Sequence, residues 1–75
     1  MTKLPRDQPP EAVIKALQRA GLYIRRTKGS HVIMQRDDPF AWTIVPVHSK
    51  VPTGILNSIL KDVGLSSEEF IKLLK

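Results

Sequence analysis

The stretch from Leu22 to Val47 leaves this chain few choices. It holds three segments of strand character: "LYIRRT" (Leu22–Thr27), "HVIMQR" (His31–Arg36) and "AWTIVPV" (Ala41–Val47). Only "KGS" and "DDPF" separate them. A parallel pair needs a crossover of a dozen or more residues, so connections this short join antiparallel neighbours. The stretch therefore predicts a three-stranded antiparallel meander. In its first strand Leu22 and Ile24 alternate with Tyr23 and Arg25, the pattern of a half-buried strand. Pro46 cannot donate to a ladder, so it belongs near the end of its strand or on an edge.

Helical periodicity flanks the meander on both sides. The polar, proline-containing "MTKLPRDQPP" reads as an extended N-terminal arm over residues 1–10, with one domain over residues 11–75. Pro10 suits a first helical turn, where its missing N–H is no loss. From Glu11 the apolar set Val13, Ala16, Leu17 and Ala20 repeats as one helical stripe, and Gly21 ends it. Leu56, Ile59, Leu60 and Val63 make the same stripe before Gly64. Ser66 with Glu69 is a capping box for a short C-terminal helix whose apolar face is Phe70, Leu73 and Leu74. Two striped helices and one small sheet pack best with both helices on one sheet face. The expected class is α+β, in the α-β-β-β-α layout of double-stranded-RNA-binding domains, with a short C-terminal helix added.

Charge narrows the partners. Twelve Lys+Arg against seven Asp+Glu give a net charge of +5, and the pI is near 10.0. In a body of 75 residues this makes a positive field that draws polyanions. An acidic protein is the other partner it suits. A chain this short buries only about 60% of its unfolded surface, so marginal stability is expected. With no cysteine there is no disulfide or thiolate site, which fits a reducing compartment. No apolar run approaches the ~20 residues of a membrane span. The first residues lack a signal-peptide core. A soluble cytoplasmic protein with no membrane role is the expectation.

Arg25, Arg26, Lys28 and Arg36 cluster in sequence around the turn of Gly29, Ser30 and His31. In a hairpin Arg36 lies far along the second strand, which leaves the first three cations near His31. Cations beside a Gly-Ser turn can hold a phosphate, with backbone N–H groups helping; they can equally be solvated strand positions. His31 and His48 are the only two histidines. Metal-free RNA cleavage needs a base for the 2′-hydroxyl and an acid for the leaving 5′-oxygen, and an imidazole, ordinarily titrating near ~6.5, serves either role. His31 opens the second strand and His48 follows the third, so antiparallel pairing puts both at one end of the sheet.

Alternation leaves the orientation of His31 open. It shares a face with Ile33 and Gln35, while Val32 and Met34 share the other, and either set can form the core. Trp42 can stack on a base, but a strand tryptophan in a small domain is expected in the core. His31, His48 and Asp37 or Asp38 show no zinc-ligand spacing. No phosphate-binding Gly-rich loop, dinucleotide fingerprint or nucleophile elbow is present.

In order along the chain, "LPR" (Leu4–Arg6), "VIKALQRAG" (Val13–Gly21), "KGSHVIM" (Lys28–Met34), "IVPVH" (Ile44–His48) and "ILNSILKDVGLSSEEFIKLL" (Ile55–Leu74) resemble the HicA family of toxins from toxin–antitoxin pairs. The resemblance covers nearly the full length. It implies a metal-independent mRNA interferase, an endoribonuclease whose catalytic histidine lies in the Gly-Ser-His motif, matched only by His31. It implies mRNA as substrate, no cofactor, and a HicB-type antitoxin that caps the site and commonly represses the operon. Members often carry a basic residue just before the glycine that opens the second helix. This chain has Thr53 before Gly54, which removes a possible phosphate contact. Two other readings stand beside it: an RNA-binding module that does not cut, and a protein-interaction partner without a nucleic-acid role.

Overall fold

A computed structural model describes residues 7–74. The "LPR" match and most of the expected arm lie outside the described residues. The element order is α1 (Pro10–Arg19), β1 (Tyr23–Lys28), β2 (His31–Asp37), β3 (Phe40–Pro46), α2 (Thr53–Val63) and α3 (Ser67–Leu74). The three strands form one antiparallel sheet in the order β1-β2-β3. This is an α+β fold, α-β-β-β-α with a third short helix.

Local signals set the helix ends. Pro10 occupies the first turn of α1, and the chain leaves that helix through Gly21 at φ 96°. There the Leu22 N–H reaches back to the Leu17 carbonyl at 3.0 Å and the Gly21 N–H to Gln18 at 3.0 Å, the paired closure of a Schellman motif. Gly64, at φ 73°, closes α2 the same way, with the Leu65 N–H on the Leu60 carbonyl at 3.0 Å. The capping box forms reciprocally: the Ser66 N–H donates to Glu69 Oε1 at 2.9 Å, and the Glu69 N–H donates to Ser66 Oγ at 3.1 Å. Ser66 holds the Glu69 carboxyl below the ordinary carboxylate range, first through its backbone N–H and then through its hydroxyl.

The core lies between one sheet face and the helices. Val13, Ala16 and Leu17 of α1 and Leu56, Ile59, Leu60 and Val63 of α2 are buried against Val32, Met34, Ala41 and Val45, with Phe70 of α3 sealing the end. Thr43 is also in this layer, 1% exposed, its hydroxyl donating to Asp62 Oδ2 at 3.0 Å. Arg36 points to the helix side and gathers the chain there. Its guanidinium donates to the carbonyls of Pro39 (2.9 Å), Ala20 (3.4 Å) and Val63 (3.3 Å), so one cation serves the C-terminal ends of α1 and α2.

Two expectations need correction. Leu22 is buried, but Ile24 is 45% exposed rather than a second core contact of β1. The helices pack over β3, so the far strand β1 overhangs them. Trp42 is 48% exposed and not in the core. Residues 32 and 34 face the helices, and the β2–β3 register then places Ala41, Thr43 and Val45 inward and Trp42 outward. Pro46 is the last residue of the edge strand β3, as its missing N–H requires.

Candidate functional site

The β1–β2 turn has only Gly29 and Ser30 between the paired residues Lys28 and His31. Gly29 has φ 57°, and Ser30 is not in the positive region. That is the pattern of a II′ turn, whose twist matches the strands and which asks for glycine at its first central position. "KGSH" is therefore a tight hairpin with a cation and an imidazole at its closing pair.

Pleating puts register partners on the same face. Lys28, His31 and Pro46 form the first row of the open face, away from the helices, and Arg26, Ile33 and Ile44 form the second. Tyr23, Gln35 and Trp42 form the third, and Asp37 with Phe40 the last. His31 is exposed, which resolves the open question of its orientation: Val32 and Met34 are the core set. Directly opposed side chains stand about 4.5–5.5 Å apart at Cβ, and diagonal neighbours remain within reach of long side chains. Lys28 and Arg26 both meet that condition for His31.

A register shift between Ile24 and Arg26 adds Arg25 as an extra residue in β1. A bulge of this kind re-aims a side chain, and Arg25 and Arg26 consequently line one shallow hollow of about 170 Å³ with Ile33. Arg25 Nη1 donates to Gln35 Oε1 at 2.9 Å, and Gln35 Nε2 donates to Asp37 Oδ1 at 2.7 Å. The Tyr23 hydroxyl donates to the same carboxylate at 3.0 and 3.1 Å. This hydrogen bond, with partial desolvation and the Asp37 charge, raises the Tyr23 phenol above 10.0 against the opposing pull of Arg25.

The predicted residues therefore divide. Arg26, Lys28, Gly29, Ser30 and His31 come together at the hairpin end. Arg25 is drawn towards Gln35 and the third row. His48 lies at the same end of the sheet, because His31 pairs with Pro46 and the Val47 N–H donates to the Ser30 carbonyl at 2.8 Å. It is exposed, in the loop after β3. Thr53 is the exposed first residue of α2. Arg36 belongs to the opposite side of the sheet. Among the described residues no group of three His, Cys, Asp or Glu side chains is placed to hold a metal.

From the sequence alone Trp42 is expected in the core and Phe40 and Ile44 are given no face, whereas Gln35 shares the face of His31 and Tyr23 alternates with Leu22 and Ile24. Once the parity of β2 is known, the short turns place Phe40, Trp42, Ile44 and Gln35 on the open face by register, whereas Tyr23 reaches it only through the bulge at Arg25. A larger depression of about 450 Å³ runs between β3 and α2, but Asp62, its one titratable lining group among the described residues, is engaged by Thr43.

A family model described as "HicA toxin of bacterial toxin-antitoxin" matches residues 11–65. The chain belongs to the HicA toxin family. The matched span contains the whole sheet, α2, all of α1 but Pro10, and the Gly29-Ser30-His31 turn. Membership makes the chain the toxin side of a toxin–antitoxin system and implies a cognate antitoxin. No curated protein sequence matches the chain. No helix among the described residues is long and apolar enough to cross a membrane.

Proposed function

We propose that the chain is a metal-independent endoribonuclease, an mRNA interferase, with His31 as its proton-transfer group. The observation that carries the reading is the setting of His31: an exposed imidazole at a hairpin mouth, with Lys28 opposite it and Arg26 diagonal to it on one open face. A structural histidine would be buried or tied by hydrogen bonds, and His31 has neither feature among the described residues.

In the proposed reaction His31 takes the proton of the ribose 2′-hydroxyl as that oxygen bonds to the adjacent phosphorus. The bond from phosphorus to the 5′-oxygen breaks, and that oxygen receives a proton from His48 or from water. The products are a 2′,3′-cyclic phosphate and a free 5′-hydroxyl. Lys28 and Arg26 hold the phosphate charge as it develops, the Ser30 hydroxyl and the Gly29–Ser30 turn help to position it, and Arg25 contacts the strand further along. A HicB-type antitoxin in the same cytoplasm would neutralise the toxin by covering this face.

The test is wild type against His31→Ala on one end-labelled RNA, with EDTA throughout and folding checked by circular dichroism. His31 is exposed, so the substitution should leave the fold intact. Loss of one acid/base group predicts a fall of about 10²–10⁴-fold in cleavage. A 2′-deoxy sugar at the cut should block the reaction. Equal cleavage by His31→Ala would end the assignment, and binding without cleavage by either protein would make a non-catalytic RNA-binding module the better reading.

A further inference from the structure

The open face carries more than the proposed proton chemistry uses. Trp42, Phe40 and Ile44 stand on it 48%, 65% and 40% exposed. A contiguous apolar patch beside cations marks a surface that meets a partner. Trp42 and Phe40 line a hollow of about 230 Å³ together with Arg25, Ile33 and Gln35. The hydrogen bond from Arg25 to Gln35, 2.9 Å, keeps the guanidinium at that hollow. From there to His31 is four residues along β2, about 13 Å at ~3.3 Å per residue.

We propose that this face is a platform for single-stranded RNA, with a base stacked on Trp42 and the sugar–phosphate backbone crossing Arg26 and Lys28 to His31. The inference rests on the ribonuclease reading for the direction of the strand, though not for the binding chemistry. Charge sets the polarity of the platform. Lys28 and Arg26 occupy the His31 end, while the Asp37 carboxylate occupies the Phe40 end. Phosphates are drawn to the first end and repelled from the second, which leaves the aromatic end for bases. An indole lying on a sheet meets a base face only when that base is out of a duplex stack. A duplex would offer this face phosphates alone and leave Trp42 in water. Stacking of this kind tolerates any base, because every base has a π-face.

Trp42 is the single tryptophan of the chain, so its fluorescence reports directly on the platform. The experiment titrates the full-length His31→Ala protein with a short single-stranded oligoribonucleotide, and then with the same strand annealed to its complement. The expected result is quenching by the single strand and at least tenfold weaker binding of the duplex. By fluorescence anisotropy of labelled RNA, a further Trp42→Ala change should weaken single-strand binding about 5–150-fold, and Trp42→Phe should restore most of it.

Duplex binding as tight as single-strand binding would overturn the proposal. So would unaltered affinity in Trp42→Ala, or quenching by the cognate antitoxin but not by RNA, which would make the face a protein interface. The two readings fail separately. Wild-type cleavage without Trp42 quenching removes the platform and keeps the nuclease. Quenching without wild-type cleavage supports the platform and removes the nuclease.

Discussion

Gly29 holds φ 57°, and open space surrounds the position a Cβ would take. The demand for glycine there is conformational rather than steric. Gly29→Ala should destabilise the protein by about 1–2 kcal/mol through backbone strain alone. In urea the midpoint should fall with the slope unchanged, and a shift of only a few tenths would mean the turn has another form. Tyr23 gives a second test at this scale. Its phenol is raised above 10.0 chiefly by donating to Asp37. A raised folded value means the hydrogen bond contributes fully below the unfolded value and is lost as pH rises through the folded one. The chain has one tyrosine, so tyrosinate absorbance titrates it alone. Asp37→Asn should bring the midpoint down towards that of the unfolded chain; an unmoved midpoint would show that Asp37 is not the cause.

Among the elements, Arg36 does what no helix-propensity argument anticipates, serving the C-terminal carbonyls of α1 and α2 from the second strand. Charge-assisted bonds of this type contribute about 1.5–3 kcal/mol. Arg36→Met should lose about that much in denaturant unfolding while RNA cleavage is kept, since Arg36 lies on the opposite side of the sheet from His31. Arg36→Lys should recover little, because an ammonium lacks the planar fork that reaches several carbonyls. The helices were legible in the sequence because their stripes and glycine stops are local, and the meander because its turns are short. The Arg25 bulge was not, because one extra residue in an edge strand alters neither composition nor pattern. Trp42 misled for a related reason. Both faces of β3 carry apolar side chains, and size pointed the wrong way: the inward set is Ala41, Thr43 and Val45. His31 stood out as a motif, but its exposure had to come from the packing of its neighbours Val32 and Met34.

For the molecule as a whole, a chain of net charge +5 has, among the described residues, one sheet face that no helix covers and that carries exposed aromatic side chains. Such a domain has little stability to spare. Its partner therefore matters to folding as well as to inhibition. If an antitoxin binds the folded toxin alone, at a free concentration 100 times its Kd, mass action adds about 2.7 kcal/mol. For a domain of this size each kcal/mol moves the melting temperature by about 4–8 °C. Adding the cognate antitoxin should therefore raise Tm by about 10–20 °C and abolish cleavage over the same concentration range. If the open face is where it binds, the antitoxin should also compete with single-stranded RNA for Trp42 fluorescence. A rise in Tm with cleavage intact would place the antitoxin elsewhere on the surface and leave the open face to RNA alone.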